Sequence, residues 1–402
     1  MNAADHVTTL AVSADADQAD QAWRAGDQIA AIAAADRALA AGADPEGRAA
    51  MVAAATAAAD GALTESAARW RRIAAIVGTG GDAVQARGRA ALAWALVGRV
   101  DEALVDLAAA RDGLADPAPR GLTVMLDGVS AVIDAVRGDL SSAAMRLSGL
   151  AATTVPPDPF AVDTWQELAI LLLAATGEEE AARAMLAADP TEPTARRLLL
   201  AAWLDMRVGR LADAKVGLAK AASQRALRRN AVLAAAITVG LARRSGDPNL
   251  LASCWHRAAP VVAGAEVELL QLDVWGELSA AAAAVPAGTA AAASIAASLD
   301  EAVVAAGGPV WCAAGAEWWR VQRAVMARDA ASAAATAAAD SLGELAESAG
   351  SAQVDALAVA ARSWSEVLAG NVDVDWVRRA GARLVAVGRP WEAAALCMAA
   401  AS

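Results

Sequence analysis

The chain has no tyrosine, one phenylalanine, two histidines and three cysteines in 402 residues. Of its 34 basic residues only Lys215 and Lys220 are lysines. Each scarcity excludes something. Two histidines, His6 and His256, leave little for imidazole catalysis or zinc ligation, and there is no HExxH, paired CxxC or GxGxxG. Cys254, Cys312 and Cys397 are odd in number and widely separated, so they read as reduced, core-filling thiols. A formal charge of -12 repels phosphate backbones and excludes a general nucleic-acid binder. No apolar run has the length and composition of a membrane span: AVLAAAITVGLA (231–242) is too short, and 279–299 is interrupted by proline and glycine. The amino terminus, MNAADHVTTLAVSADAD, has neither a basic region nor an apolar export core, which predicts a cytoplasmic protein.

What is present is alanine, the strongest helix former, within a 57% hydrophobic composition. Many closely packed helices are expected, and no segment reads as a strand. One turn recurs: AGDQIAA at Gly26, DGALTES at Gly61, VGRVDEA at Gly98, RGDLSSA at Gly138, TGEEEAA at Gly177, VGRLADA at Gly209, SGDPNLL at Gly246 and VGRPWEA at Gly388. The period is that of a helix-turn-helix unit in a solenoid. Glycine ends one helix in the left-handed conformation, and the polar residues after it start the next. Five residues on comes a small side chain (Ala31, Ser66, Ala103, Ala143, Ala182, Ala214, Ala393). Nine on it is bulky in six copies (Trp70, Leu107, Leu147, Leu186, Leu218, Trp255). Small and large four apart share one helical face.

This glycine, small and large pattern resembles the tetratricopeptide (TPR) family, clearly over 20–260 and more loosely over 261–402, with 1–19 expected to be a flexible tail. The aromatic that the family places four residues before the glycine occurs only as Trp94. The resemblance implies an all-α, TPR-like solenoid, a right-handed superhelix of about ten antiparallel helix pairs. Alanine- and arginine-rich irregular arrays with VGR turns are similar to the sensor region of the large ATP-binding LuxR-type transcription regulators, the maltotriose-activator class. That likeness implies a non-catalytic domain of a transcription regulator. Its ligand would be a sugar such as trehalose or a maltooligosaccharide, relayed to attached ATPase and helix-turn-helix modules. Neither module is in this sequence, so the chain is expected to be an excised fragment, with no cofactor, no metal and no direct contact with nucleic acid or membrane.

Candidate site residues follow from chemistry: a flat indole covers the C–H face of a sugar while carboxylates, amides and arginine bond its hydroxyls. The pattern acid-x-Trp-x-Glu-Leu occurs twice, with Asp163 and Glu167 around Trp165, and Asp273 and Glu277 around Trp275. On a helix each acid pair shares a face and the tryptophan points the other way. Packing indoles and solvated acids would explain either copy alone. TPR-like offsets place Trp203, Trp364 and Trp23 toward a concave groove, with Arg207 on the face of Trp203. The segment GPVWCAAGAEWWRVQRA (308–324) is the densest cluster. Consecutive Trp318 and Trp319 are not expected to face one core, which leaves one of them, with Glu317 and Gln322, for a ligand, unless two helix interfaces take one each. Arg225, Arg228, Arg229, Arg243 and Arg244 form the single basic concentration, a docking patch or a solvated helix end. The alternative function is a scaffold whose groove holds a peptide or partner helix.

Overall fold

The computed structural model describes residues 3–401 apart from 43, 45–46, 157, 162, 189–192, 225–226 and 329–332, with side chains from residue 14 onward. His6 and Arg225 therefore lie outside what is described at side-chain level. The fold is all-α: 21 α-helices and no strand among the described residues. In order they are α1 (Ala3–Arg24), α2 (Gln28–Ala40), α3 (Arg48–Ala59), α4 (Leu63–Val77), α5 (Gly81–Leu96), α6 (Val100–Asp112), α7 (Arg120–Val136), α8 (Leu140–Ala151), α9 (Trp165–Ala175), α10 (Glu179–Ala188) and α11 (Ala195–Arg207). Then come α12 (Leu211–Ala222), α13 (Arg228–Ser245), α14 (Pro248–Val262), α15 (Leu272–Ala283), α16 (Thr289–Ala305), α17 (Val310–Ala327), α18 (Ala333–Ala349), α19 (Ala352–Leu368), α20 (Val374–Ala386) and α21 (Pro390–Ala401).

All eight repeat glycines end a helix with φ between +73° and +121°. At Gly98 the Gly98 N–H donates to the Ala95 carbonyl (3.0 Å) and the Arg99 N–H to that of Trp94 (2.9 Å), closing the helix with its last carbonyls satisfied. The small positions are all buried, and of the bulky ones Trp70, Leu107, Leu147 and Trp255 are buried while Leu186 and Leu218 are half-buried. The repeat register read from the sequence is thus the packing register. Residues 3–24 are helical in α1, where a tail was expected over 1–19. Ala16 and Ala19 are buried, and Asp15 and Asp17 pair with Arg37 and Arg48, so α1 packs as the first helix of a hairpin.

The chain divides into two compact units, Met1–Asp134 with Arg146–Gln166, and Ala135–Met145 with Glu167–Ser402. In the first unit successive helices α1 to α6 pack in order, and α1 also meets α3. Its core gathers around the single phenylalanine. Trp23 stacks on Phe160 (centroids 6.1 Å apart, 11° between planes), Trp70 meets the same ring edge-on, and Arg89 lies 4.6 Å over Trp70 while bonding both carboxylate oxygens of Asp158 (2.8 and 2.7 Å). Trp23, expected at a groove, spends its indole N–H on the Pro159 carbonyl (2.8 Å). Asp106, with no exposed side-chain surface, joins Arg71 (2.5 Å) and Arg87 (2.8 Å) between α4, α5 and α6.

In the second unit the odd helices α11, α13, α15, α17 and α19 pack each against the next, and the even helices flank them. The change of repeat regularity near 260 leaves this packing uninterrupted, since α13 meets α15. The unit closes on itself. A Cβ at Gly177, before α10, would stand 3.1 Å from the Val387 carbonyl oxygen, and one at Gly388, before α21, would overlap the Glu179 carboxylate. The α9–α10 and α20–α21 turns therefore touch, although some 210 residues separate them.

Candidate ligand-binding site in the second unit

The interior of the second unit is charged. Glu179 accepts from Arg207 (Nε at 3.2 Å, Nη2 at 2.8 Å), Arg207 also bonds Asp273, and Asp273 accepts from Arg389 (2.9 and 3.2 Å) and from the Trp319 indole N–H (2.7 Å). Beside this chain, Glu277 takes Arg243 at 2.6 and 2.8 Å and Arg244 at 3.1 Å, with Glu392 at 3.4 Å from Arg244. Arg243 and Arg244 also stack on Trp391, at 4.3 and 4.8 Å. Each chain holds two cations and two anions. Burial alone would raise the pKa of Asp273 and Glu277, and the adjacent guanidinium groups outweigh it: Asp273 falls below the usual carboxylate range and Glu277 falls to about 2. Arg207 and Arg243 resist the cost of burial through the same neighbours and shift upward.

Against this network lies a cavity of ≈ 420 Å³. Its wall includes Trp203 and Arg207 from α11, Gln271 and Asp273 at the start of α15, Trp311 from α17, and Gln353 from α19. Three charged wall residues follow a repeat glycine directly: Asp139 after Gly138, Glu178 after Gly177 and Arg389 after Gly388. The cavity is thus built from the beginning and the end of the unit together. Trp311 is half-buried and its N–H donates to the Ala135 carbonyl (3.0 Å), which fixes the ring in the wall.

Of the residues singled out from the sequence, Trp203, Arg207 and Asp273 line the cavity, as does Trp311 of the 308–324 cluster; the other site candidates do not. Trp318 and Trp319 are both buried, at 0% and 1% exposure, so neither indole is left over for a ligand. The physical reason is Gly276: a Cβ there would overlap the Trp319 ring, and its absence lets that indole lie flat on α15. Trp318 lies with its ring 5.9 Å from the Arg389 guanidinium, which bonds the same Asp273 carboxylate as the Trp319 N–H. Trp275 and Trp364 are buried as well. Glu317 pairs with Arg320 (2.5 Å) toward α16, where Asp300 also holds that arginine, and Gln322 is buried in α17.

The acids of the two tryptophan motifs are not solvated. Asp273 and Glu277 face the arginine network, and Asp163 and Glu167 are buried and partnered. Trp165 is half-buried and presses on Gly128, where a Cβ would stand 2.7 Å from the ring. Of the basic concentration, Arg225 lies outside the described residues, and the four described arginines bond within the fold. Arg229 bonds Glu268 (2.5 and 2.6 Å), Arg228 reaches the Val261 and Ala263 carbonyls, and Arg243 and Arg244 belong to the network above. Cys254 and Cys312 are buried, whereas Cys397 is exposed near the end of α21.

Sequence reasoning missed Asp139, Glu178, Gln271, Gln353 and Arg389 as wall residues, and reached Trp311 only as a member of the 308–324 cluster. Three of them, Asp139, Glu178 and Arg389, directly follow a repeat glycine, but so do Arg210 and Asp247, which do not line the cavity, so that position alone was no signal. Among the described residues no group of His, Cys, Asp and Glu converges as a metal site, and no helix is long and apolar enough to cross a membrane. No protein-family model and no curated protein matches the chain.

Proposed function

We propose that the second unit senses a small hydroxylated molecule held in its cavity, without catalysis, and that the chain serves as the sensor region of a transcription regulator. The observation that carries this reading is the composition and construction of the cavity wall. A volume of ≈ 420 Å³ suits a molecule of one or two sugar rings, and Trp203 and Trp311 offer indole surface. Asp139, Glu178, Gln271, Ser141 and Arg389 offer both acceptors and donors for hydroxyls. Trehalose or a maltooligosaccharide, which the likeness to LuxR-type regulators suggests, falls within this class. The attached ATPase and DNA-binding modules remain part of the proposal on the same ground.

The relay follows from how the wall is assembled. Asp139 and Glu178 belong to the opening elements of the unit and Arg389 to its closing turn, so a ligand bonded to both stabilises the closed arrangement. Micromolar to millimolar binding supplies about 4 to 8 kcal/mol, enough to bias closure when affinity differs between the two states. Calorimetry with a panel of mono- and disaccharides tests the reading. Heat and a rise in melting temperature are expected with at least one sugar, and a Trp311→Phe variant should lose most of the accompanying fluorescence change. A panel giving neither heat nor thermal shift overturns it.

A further inference from the structure

We infer that a second copy of this chain docks across α18, α19 and α20, in a two-fold dimer whose axis runs along α19. Helices α18 and α20 each pack on α19. The Thr336 hydroxyl of α18 meets that of Ser365 near the end of α19 (2.9 Å), and Asp340, Glu344 and Glu347 continue from Thr336 along one side of α18, all exposed. On α20, Trp376 shares an open groove with Arg362 and Glu366 near the same end of α19, and Arg379 and Arg383 continue from Trp376, both exposed. The two helices therefore run parallel on either side of an α19 ridge formed by Asp355, Val359, Arg362 and Glu366. One carries an acidic stripe and the other a basic stripe.

Neither stripe is spent within the chain. Arg379 lies over the Trp376 ring (5.3 Å), and among the described residues neither it nor Arg383 has a carboxylate partner, nor has any of the three α18 acids a cation. Arg378, on the next face of α20, has only Asp375 at 3.8 Å, with both side chains strongly exposed. In a chain of net charge -12, this second basic group besides that at 225–244 stands beside an acidic one, and the pair is self-complementary. Two copies can meet on this face about either of two axes. An axis across the helices sets α18 on α18 and α20 on α20, like charge against like. An axis along α19 sets α18 of each copy on α20 of the other, so both stripes pair at once. Arg379 and Arg383, four apart, then match Asp340 and Glu344, also four apart. On the ridge Arg362 and Glu366 lie one turn from each other, so neither sign accumulates at the axis. Single exposed ion pairs are weak. Here the symmetry doubles each of them, and half-buried Val359 and Trp376 with exposed Val372 add apolar surface alongside.

Sedimentation equilibrium of the full chain tests the inference. At low salt the mass is expected to approach that of two chains as the concentration rises to about 100 µM. At about 1 M salt, where charges are screened beyond about 3 Å, the dissociation constant should weaken by at least about tenfold. Arg379→Glu with Arg383→Glu, and separately Asp340→Arg with Glu344→Arg, should each leave the chain monomeric. Melting temperatures should stay close to wild type, because all four side chains are exposed. Mixed in equal amounts, the two variants should form a heterodimer, since each α18 then faces an α20 of opposite sign, and all four substitutions on one chain should restore the homodimer. A wild type that stays monomeric at low salt up to about 100 µM overturns the second copy as the occupant of this face. A dimer that survives either reversal, or variants that fail to combine, overturns this face and this axis.

Discussion

Replacing Glu277 by glutamine removes one negative charge from the centre of the second unit without changing its volume. Glu277, Arg243 and Arg244 are each 1% exposed at the side chain, and Glu277 is the closest anion to both arginines. After the change Glu392 remains alone, 4.0 Å from Arg243 and 3.4 Å from Arg244, so two buried cations share one anion. Breaking a buried pair from one side costs about 3 to 5 kcal/mol. Linkage gives a compatible figure: a fall from 4.5 to about 2 corresponds to about 3 kcal/mol in favour of the folded state. The sign is that of a depressed carboxylate. Stability is fully present above the unfolded pKa of 4.5 and is lost as pH falls through the folded value near 2. Native-state hydrogen exchange resolved by segment is the assay, because α2 to α5 in the first unit provide an internal reference. At pH 7 the amides of α13 and α15 should lose about 3 kcal/mol of protection in the variant while the reference is unchanged. The difference from wild type should shrink steadily between about pH 5 and pH 2. A loss under 1 kcal/mol at pH 7, or a difference that stays constant with pH, would refute the account of the network as a mutually dependent set of charges.

Gly388→Ala and Gly246→Ala make a matched pair, since both glycines have φ of +73° but only the former faces a carboxylate, that of Glu179. Gly246→Ala should cost about 1 kcal/mol for the left-handed backbone, and Gly388→Ala at least about twice that by thermal melting, with proteolysis at Arg389 becoming faster. Asp106→Asn should destabilise the first unit by about 1 to 2 kcal/mol, since Arg71 and Arg87 keep partial access to water, leaving exchange in α13 and α15 untouched. A thiol reagent at pH 8 should modify Cys397 quickly in the native protein and reach Cys254 and Cys312 only on unfolding; burial also raises the Cys312 thiol pKa and so depletes its reactive thiolate.

The hairpins were legible because they rest on local chemistry. A glycine at φ +82° or an alanine five residues later carries its reason within a few neighbouring residues, and Gly98 and Ala103 do what their spacing implies. The site was less legible because the inner helices lack a solvent face. In α15, Leu272, Val274, Trp275, Gly276, Glu277 and every residue from Leu278 to Ala282 are buried. Helical periodicity correctly places Asp273 and Glu277 on one side and Trp275 on the other, but it distinguishes inside from outside only when one side meets water. Where both sides are covered, an acidic face reads as solvated unless the opposing arginines are known. The opposing groups are Arg207, Arg243, Arg244 and Arg389, which stand between 33 and 116 residues away from their acids in the chain.

The near absence of lysine follows from the same packing. Alanine-lined helices approach closely and bury little apolar surface per residue, so the few large side chains must span the gaps between layers. Arginine does this with a flat group that bonds two carboxylate oxygens and stacks on an indole at once, as Arg243 does between Glu277 and Trp391, and Arg89 between Asp158 and Trp70. A lysine ammonium supplies neither the fork nor the face. Arg389 follows the same pattern at the α20–α21 turn, where it bonds Asp273 and lies over the Trp318 ring.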